Sequence, residues 1–499
     1  MRSNYKILFL YPNIQQCAMM PYSIGLMTAL LKREEFDVGL FDCTFYLDDI
    51  GTNYDHFQNS LRQFDWGERG VQFKENSMRE DWIRKVEEFA PDMIAVSVVE
   101  STYVLGRQMI KCLPKEWKDT VVLWGGVFAT FGAEKILGEG DGEYVNRGEG
   151  ELSIVEFCKR ARDGESLDDV PNIWTRQGGK LIGNQMRSEM VDLDNLPFAD
   201  YSLFDDQAIY RPMQGQVWRT VGLETQRGCP FTCTYCNTPS QHKLTKDEFG
   251  GNYFRKKSMK RLHQEISYYQ ETYAIELIYM LTDTFLAVSS REFDELVEMY
   301  TDFRIPFWMN TRSETMTEDR AKGLDKMNML RMSFGIEHGN PDYRKSMLKR
   351  RVTNEVMLDG FRACADRNFV TTGNCIVGMP EENRDLAFDT INFCRELPEC
   401  VEQTGSFVFA PFHGTELRNI AVRKGYYDDS LICEIDNPES SMLDQPQFPR
   451  AEVLGLAKTF GLYQVVPKSE WNWVQAAENE TKEGKKIFDQ LVAQYLGDE

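Results

Sequence analysis

Short apolar runs alternate with helix-like stretches along most of this 499-residue chain, and this alternation restricts the folds open to it. Strands that alternate with helices favour a parallel sheet with helices on its faces, and such a sheet binds its ligand at the carboxyl ends of the strands. The first series predicts a doubly wound parallel sheet, with strands at 6–11, 36–42, 93–98, 120–124 and 143–146 and helices at 22–33, 79–89, 102–113 and 149–162.

A second alternating series begins near residue 218. Its units predict a partial (β/α)6 barrel, whose chemistry belongs at the carboxyl ends of its strands. The predicted strands are 219–225, 275–281, 304–309, 331–336, 369–377 and 404–410. The chain is therefore expected to divide into an α/β sheet domain, a turn-rich linker, the barrel, and a small, mainly helical C-terminal domain, at 1–190, 191–217, 218–430 and 431–499.

The charge balance restricts the partners of the protein. With 57 Lys and Arg against 78 Asp and Glu, the formal net charge is −21. An acidic surface repels phosphate backbones, so we expect no nucleic-acid partner. No apolar run approaches the roughly 18–20 residues that cross a bilayer, and the run at 7–12 is too short for a signal peptide, so we expect no membrane span and a cytoplasmic location. The dense basic run at 255–261 is interpreted as the solvated start of a helix.

Three of the twelve cysteines lie within eight residues, at Cys229, Cys233 and Cys236. In a reducing compartment, clustered cysteines indicate a metal site or catalysis more often than disulfides. One alternative is structural zinc with His242 as the fourth ligand, but such sites usually combine paired ligand elements. A C-x3-C-x2-C triplet favours an iron–sulfur cluster in which one iron remains open for a substrate or cofactor. The nine other cysteines are interpreted as small buried apolar side chains.

Residues 227–236, Arg-Gly-Cys-Pro-Phe-Thr-Cys-Thr-Tyr-Cys, resemble the signature of the radical S-adenosylmethionine (SAM) enzymes. The flanking residues resemble more closely the subfamily with an N-terminal cobalamin-binding domain, and the resemblance covers about residues 5–425. It implies a Rossmann-like cobalamin-binding domain followed by a radical SAM barrel. It also implies three cofactors: a [4Fe–4S] cluster on the three cysteines, SAM and cobalamin.

Several later segments resemble SAM-binding motifs of this family, in the same order along the chain. The resemblance places Asp283 at the SAM amino group, Arg312 near the carboxylate and Glu337 at the ribose hydroxyls. Gly378 belongs to the Gly-x-Pro turn beside the adenine, and Tyr235 is the aromatic residue of the cysteine motif. Departures from the family pattern are Thr282 for an acid, His338 for a serine and His413 for a proline. Taken singly, each acidic or basic residue would suit a helix cap or a surface ion pair.

Loops after the strands of the first series carry the predicted cobalamin contacts. The Ile-Ser-like and Arg-Gly-Glu-Gly-Glu segments resemble the family's signatures, and the two glycines of the Gly-Gly segment allow backbone to lie flat against a large ring. Two further predicted contacts lie in the loop after the first strand. The full set of predicted cobalamin contacts is Asn13, Gln15, Ser97, Glu100, Ser101, Gly125, Gly126, Val127, Gly148 and Glu149. No histidine lies after the first strand, so the lower face of cobalt is expected to be open or covered from within 11–20, for example by Asn13, Gln15 or Gln16. Alternatively, this sheet has lost its ligand or binds the substrate.

The resemblance implies a methyltransferase that passes a methyl group from methylcobalamin to an unactivated carbon, after a 5′-deoxyadenosyl radical has removed a substrate hydrogen. A small-molecule substrate, covered by the C-terminal domain, and an electron donor such as flavodoxin or ferredoxin are the expected partners. Two alternatives remain open: an enzyme with the same cofactors that forms rings, rearranges or oxidises its substrate, and a non-catalytic iron–sulfur protein.

Overall fold

The computed structural model describes residues 5–13, 20–47, 64–138, 144–434 and 437–497. The strands are β1 Lys6–Tyr11, β2 Asp37–Asp42, β3 Met93–Ser97, β4 Val121–Gly125, β5 Tyr144–Asn146, β6 Ile173–Gln177, β7 Lys180–Gly183, β8 Tyr210–Met213, β9 Gln216–Leu223, β10 Gln226–Arg227, β11 Arg255–Lys256, β12 Leu277–Met280, β13 Phe307–Arg312, β14 Met329–Glu337, β15 Val370–Val377 and β16 Val401–Val408.

The helices lie between these strands and in the C-terminal region. They are α1 Tyr22–Arg33, α2 Met78–Phe89, α3 Glu100–Lys111, α4 Val127–Phe131, α5 Ala133–Gly138, α6 Glu151–Asp163, α7 Thr238–Phe249, α8 Met259–Tyr273, α9 Ser290–Tyr300, α10 Glu318–Lys326, α11 Pro341–Ser346, α12 Asn354–Arg362, α13 Arg384–Cys394, α14 Glu416–Arg423, α15 Pro438–Ser441, α16 Arg450–Val465, α17 Trp471–Ala477 and α18 Lys482–Tyr495. Short 3-10 helices occur at Trp66–Arg69, Lys115–Trp117, Asp206–Ile209, Ser313–Thr315 and Lys468–Glu470.

The chain forms two compact units. The first consists of Met1–Glu224 and Ser240–Glu276, and the second of Thr225–Pro239 and Leu277–Glu499. Within the described ranges, no helix is both long and apolar enough to cross a membrane.

The sheet of the first unit has five parallel strands in the order β2-β1-β3-β4-β5. Strand β1, between β2 and β3, is apolar throughout its middle, because both faces of a parallel sheet are covered by helices. The strand order reverses between β1 and β3, and a ligand crevice forms at such a switch point. The predicted doubly wound sheet is confirmed.

Two strands extend this sheet beyond the prediction. β6 and β7 add an antiparallel hairpin after β5, turning at Gly178 and Gly179, which both have positive φ. β7 is mostly exposed, so it lacks the apolar run by which the other strands were recognised. The Gly-Gly pair between two short runs was the available signal for this hairpin. The segment predicted as a linker, 191–217, contains β8 and the start of β9.

The basic run at 255–261 is not solvated, which corrects the expectation. The ammonium of Lys257 is completely buried and lies 2.7 Å from Glu265, which is also buried. Arg261 donates to the carbonyl oxygens of Leu196 and Pro197 at 2.6 and 3.1 Å. Arg261 of this run therefore anchors the turn-rich segment 191–217, and the buried carboxylate of Glu265 compensates the charge of Lys257.

The second unit contains five parallel strands in the order β16-β15-β14-β13-β12. A register shift between Gly335 and Glu337 marks an irregularity at the end of β14. The C-terminal helix α16 packs on β16 and α13 within this same unit. Together with the first sheet, this half-barrel sheet and the helical C-terminal region confirm the predicted α/β fold class.

Candidate functional site

The three clustered cysteines lie in the loop between β10 and α7. Cys229 and Cys233 are buried, with 8% and 9% of their surfaces exposed. Each sulfur has a hydrogen-bonding group beside it: Thr284 Oγ1 at 3.3 Å from Cys229, Arg312 Nη1 at 3.3 Å from Cys233, and the Thr238 amide at 3.4 Å from Cys236. Such donors stabilise negative charge on the sulfur atoms of iron–sulfur ligands.

Burial affects the protonation of two of these thiols. It raises the pKa of Cys229 and raises the pKa of Cys236 to about 11, so both are neutral without a metal centre. In the described part of the chain, no group of three or more His, Cys, Asp or Glu side chains is arranged to hold a single metal ion. Three thiols from one loop, each beside its own donor, instead suit a cluster in which each thiolate binds a different iron.

Four predicted SAM contacts lie at the carboxyl ends of neighbouring strands in the second unit. Asp283 follows β12, Arg312 ends β13, Glu337 ends β14 and Gly378 follows β15. Asp283 accepts a hydrogen bond from Thr238 Oγ1 at 2.7 Å, which connects it to the cysteine loop. The structure therefore brings these positions to one edge.

Arg312 is engaged with the cysteine loop and with a neighbouring carboxylate. Its guanidinium lies 3.8 Å from the centre of the Phe231 ring, besides its contact with Cys233. Its Nε donates to Glu314 at 2.7 Å. Arg312 therefore stands where it can stabilise a cluster thiolate, a role that the sequence did not indicate.

Glu337 is held in an unusual backbone conformation beside Tyr235. Its φ of 64° lies in the left-handed region, which a non-glycine residue adopts only when its surroundings hold it there. The Tyr235 hydroxyl donates to Glu337 Oε1 at 3.0 Å. Burial raises the pKa of Glu337, and the charge of Arg350 opposes this rise. The predicted aromatic position and the predicted ribose contact thus form one hydrogen-bonded pair.

The sequence interpretation missed Arg350 and Glu314, which complete this side of the site. The Arg350 side chain is completely buried and donates to Gly335 O at 2.8 Å, while lying 3.5 Å from Glu337 and 3.2 Å from Glu314. Burial raises the pKa of Glu314, but the charges of Arg350 and Arg312 outweigh it and lower the pKa. Arg350 lies in a basic run that resembles a surface segment, so no local pattern revealed its burial.

The glycine turns predicted to contact cobalamin occupy the carboxyl edge of the first unit. Ser97 ends β3, Glu100 and Ser101 begin α3, Gly125 ends β4, and Val127 begins α4. Gly126 has φ of 103°, and a Cβ there would overlap the carbonyl oxygen of Val98. Gly148, with φ of 72°, follows β5. These loops lie along one edge because the strands before them are parallel.

Asn13 and Glu149 have partners within the first unit. Asn13 is buried, and its Nδ2 donates to Thr44 Oγ1 at 2.9 Å, while the Thr44 amide donates to Asp42 at 2.9 Å. Glu149 pairs with Arg255, whose Nη1 lies 3.4 Å from Oε2. Gln15 and Gln16 lie outside the described residues.

Two family models match separate parts of the chain. Residues 44–157 match the B12 binding domain, and residues 223–394 match the radical SAM superfamily. The first match covers the loops after β3 and β4, and the second covers the cysteine loop and the ends of β12 to β15.

Individual proteins resemble the chain over most of its length. An uncharacterized methyltransferase of Pyrococcus horikoshii, PH0819, is 24% identical over 68% of this chain and 72% of its own. An anaerobic magnesium-protoporphyrin IX monomethyl ester cyclase of Rubrivivax gelatinosus is 23% identical over 64% of this chain and 57% of its own. The solved radical SAM methyltransferase TsrM of Kitasatospora setae, with cobalamin and a [4Fe–4S] cluster bound, has the same fold: the TM-score is 0.67 at 14% identity, over 98% of this chain and 99% of TsrM.

The two matched domains, the shared fold and the cysteine loop agree with one another. The chain thus contains a B12-binding domain and a radical SAM domain, and it shares its fold with a solved cobalamin-dependent radical SAM enzyme.

Proposed function

We propose that this protein is a cobalamin-dependent radical SAM methyltransferase that adds a methyl group to an unactivated carbon of a small-molecule substrate. The observation that carries the proposal is the position of the cysteine loop beside Arg312, with Tyr235 of the loop bonded to Glu337. When bound, the cluster would supply the electron that cleaves SAM, and cobalamin would supply the methyl group.

The residues of the second unit divide the work of holding the cluster and SAM. Cys229, Cys233 and Cys236 would hold the cluster, and the donors beside their sulfurs would stabilise the bound thiolates. Glu337, fixed by Tyr235 and Arg350, would accept hydrogen bonds from ribose hydroxyls. The Glu337 carboxylate needs no reorganisation on binding, because its conformation is already set by those partners.

Two further residues of this unit would contact the ends of SAM. Asp283 would receive the amino group of SAM. Thr282 replaces the other acid of the family's motif after β12, so Asp283 is the carboxylate that remains to pair with this positive charge. Gly378 would approach the adenine with its backbone. Its φ of 81° favours glycine, which has no side chain of its own to keep the ring away.

The first unit would hold cobalamin at the carboxyl edge of its sheet. The turn at Gly125 and Gly126 presents backbone without side chains to a flat ring, which glycine alone permits at the φ of Gly126. The lower face of cobalt would be open or covered from within 11–20. Asn13 is the described candidate, and Thr44 fixes its amide nitrogen.

The state of the cysteines supports a reducing location. The eleven cysteines in the described part of the chain are free thiols, as expected in the cytoplasm. We propose flavodoxin or ferredoxin as the electron donor, because reduction of the cluster needs an external one-electron source.

Methylation is favoured over ring formation by the extent of the similarities. The chain covers 72% and 99% of the two relatives called methyltransferases, but 57% of the cyclase. The test is anaerobic reconstitution with SAM, reductant and methylcobalamin against candidate substrates. We expect both S-adenosylhomocysteine and 5′-deoxyadenosine, together with a substrate mass gain of CH2, and no SAM cleavage by Cys233→Ala.

Other outcomes would identify other functions. Sustained formation of 5′-deoxyadenosine without S-adenosylhomocysteine would contradict methylation and favour ring formation, rearrangement or oxidation. A reduced cluster that leaves SAM intact would show a non-catalytic iron–sulfur protein.

A further inference from the structure

The turn after β15, Gly378–Glu382, is held by the buried carboxylate of its own last residue, Glu382. Glu382 Oε2 accepts hydrogen bonds from the amides of Gly378 and Met379 at 2.6 and 3.0 Å. Its other oxygen, Oε1, lies 3.2 Å from Nε2 of His338, and both side chains are completely buried. Among the described residues, neither of these two atoms has another hydrogen-bond partner. Each is therefore the nearest available partner of the other.

His338 is oriented so that its N–H faces this carboxylate. Its Nδ1 accepts a hydrogen bond from the Asn340 amide at 3.0 Å. In a neutral imidazole the hydrogen must then be on Nε2, the atom that faces Glu382. The ring stacks on Tyr343 with centroids 4.3 Å apart, and the Tyr343 hydroxyl donates to Pro380 O at 2.6 Å. The histidine that replaces the family's serine thus belongs to the support of this turn.

A second buried side chain holds the same turn from the C-terminal region. Gln445 has 1% of its surface exposed and follows α15. Its Nε2 donates to Met379 O at 2.9 Å and to Gly378 O at 3.3 Å, and its Oε1 accepts from the Glu381 amide at 3.2 Å. Side chains, rather than a regular element, therefore satisfy most backbone polar groups of the turn.

We propose that His338 and Gln445 are positioning residues for SAM, which act by locking the Gly378–Glu382 turn in the shape that receives the adenine. This inference rests on the proposed function, because the resemblance places the adenine at this turn. A locked turn binds its ligand without first losing conformational freedom, so removing either support should weaken SAM binding. It also connects the C-terminal region to SAM affinity, beyond any role in covering the substrate.

The test compares variants of the reconstituted protein under anaerobic conditions. His338→Leu and Gln445→Leu remove the polar groups with similar side-chain volumes, and His338→Gln restores an N–H donor. We expect about tenfold faster hydrogen exchange at the Gly378 and Met379 amides, and about tenfold higher Kd and KM for SAM, in both leucine variants. The kcat at saturating SAM should stay near that of the wild type, and His338→Gln should recover most of the affinity.

Matched controls and contrary outcomes separate this inference from the proposed function. His263→Leu and Gln490→Leu, at exposed positions, should bind SAM as the wild type does. Leucine variants that bind SAM as tightly as the wild type would overturn the positioning role, whatever their hydrogen exchange. A wild type that binds no SAM would instead contradict the proposed function. If His338→Leu fails to fold, Gln445→Leu and His338→Gln still decide the question.

Discussion

Asp42 illustrates how a single carboxylate can be controlled by its surroundings at the edge predicted to bind cobalamin. It ends β2 and accepts a hydrogen bond from the Thr44 amide at 2.9 Å, and Thr44 in turn accepts from Asn13. Burial raises the pKa of Asp42, while the hydrogen bonds from Thr44 and the charge of Arg211 oppose the rise. Burial prevails, so the ionised form of Asp42 is less stable in the folded chain than in water.

This raised pKa predicts a pH dependence of stability. Between the pKa of an unfolded aspartate and the higher pKa in the folded protein, the folded state keeps a proton that the unfolded state releases. The free energy of unfolding of the wild type therefore falls as pH rises through that window. Asp42→Asn lacks this titration, so its stability relative to the wild type should increase across the window and then level off.

Denaturant unfolding at a series of pH values measures this difference. Asp119→Asn, at an exposed position, is the matched control for the loss of one aspartate charge. A difference between Asp42→Asn and the wild type that does not change with pH would contradict the assignment.

The turn between β4 and α4 packs closely against the loop that follows β3. The two glycines at its centre are not equivalent. Gly126 has φ of 103° and abuts the carbonyl of Val98, whose amide is bonded to Gly125 O at 2.9 Å. A Cβ at Gly125 would meet no atom within 4 Å. The loop after β3 therefore fits against Gly126 and not against Gly125.

The two glycines provide a matched pair of variants. Gly126→Ala should lower the free energy of unfolding by about 2 kcal/mol or more, because both the φ angle and the Val98 carbonyl oppose a side chain. Gly125→Ala should change it by less than about 0.5 kcal/mol. Thermal unfolding of the two variants measures the contrast, and a loss below about 0.5 kcal/mol for Gly126→Ala would show that the turn relaxes without cost.

The two compact units of the chain are not continuous in sequence, because each consists of two separate segments. The C-terminal region clusters with the second unit, where α16 packs on β16 and α13. Arg395 donates to the carbonyl oxygens of Tyr463, Gln464 and Val466 at 2.8, 2.8 and 2.9 Å, satisfying the end of α16. The helices after residue 430 are thus part of the folded core of the unit. The predicted boundary at 430 stays a prediction.

Truncation tests this integration. A chain that ends at Ser430 should lose the cooperative unfolding of the second unit, because the buried face of α16 would be missing from the core: Val453, Leu456, Phe460, Leu462 and Tyr463. A chain that ends at Glu480 loses α18, which buries only Gly484 and Leu491, and should keep that transition. Calorimetry distinguishes the two, and a cooperative transition in the shorter chain would show an independent C-terminal domain.

Features that depend on neighbouring residues could be predicted well. The strands, the fold class and the cysteine loop follow from periodicity and spacing, which act over a few residues. The hairpin of β6 and β7 had a Gly-Gly signal but no apolar run, and was missed for that reason. The SAM-binding positions were predicted from the resemblance to a family, and not from periodicity or spacing.

The partners of those motifs could not be predicted, because contacts between distant segments leave no local pattern. Tyr235 and Glu337 are 102 residues apart, and Gln445 is 67 residues from Gly378. Arg350 and His338 are charged or polar residues that composition would place at the surface, yet both are buried where a carboxylate compensates them. Alternation and spacing thus specified the sheets and the cluster loop, whereas packing chose which polar groups were buried together, since an isolated buried charge is too costly to persist without its partner.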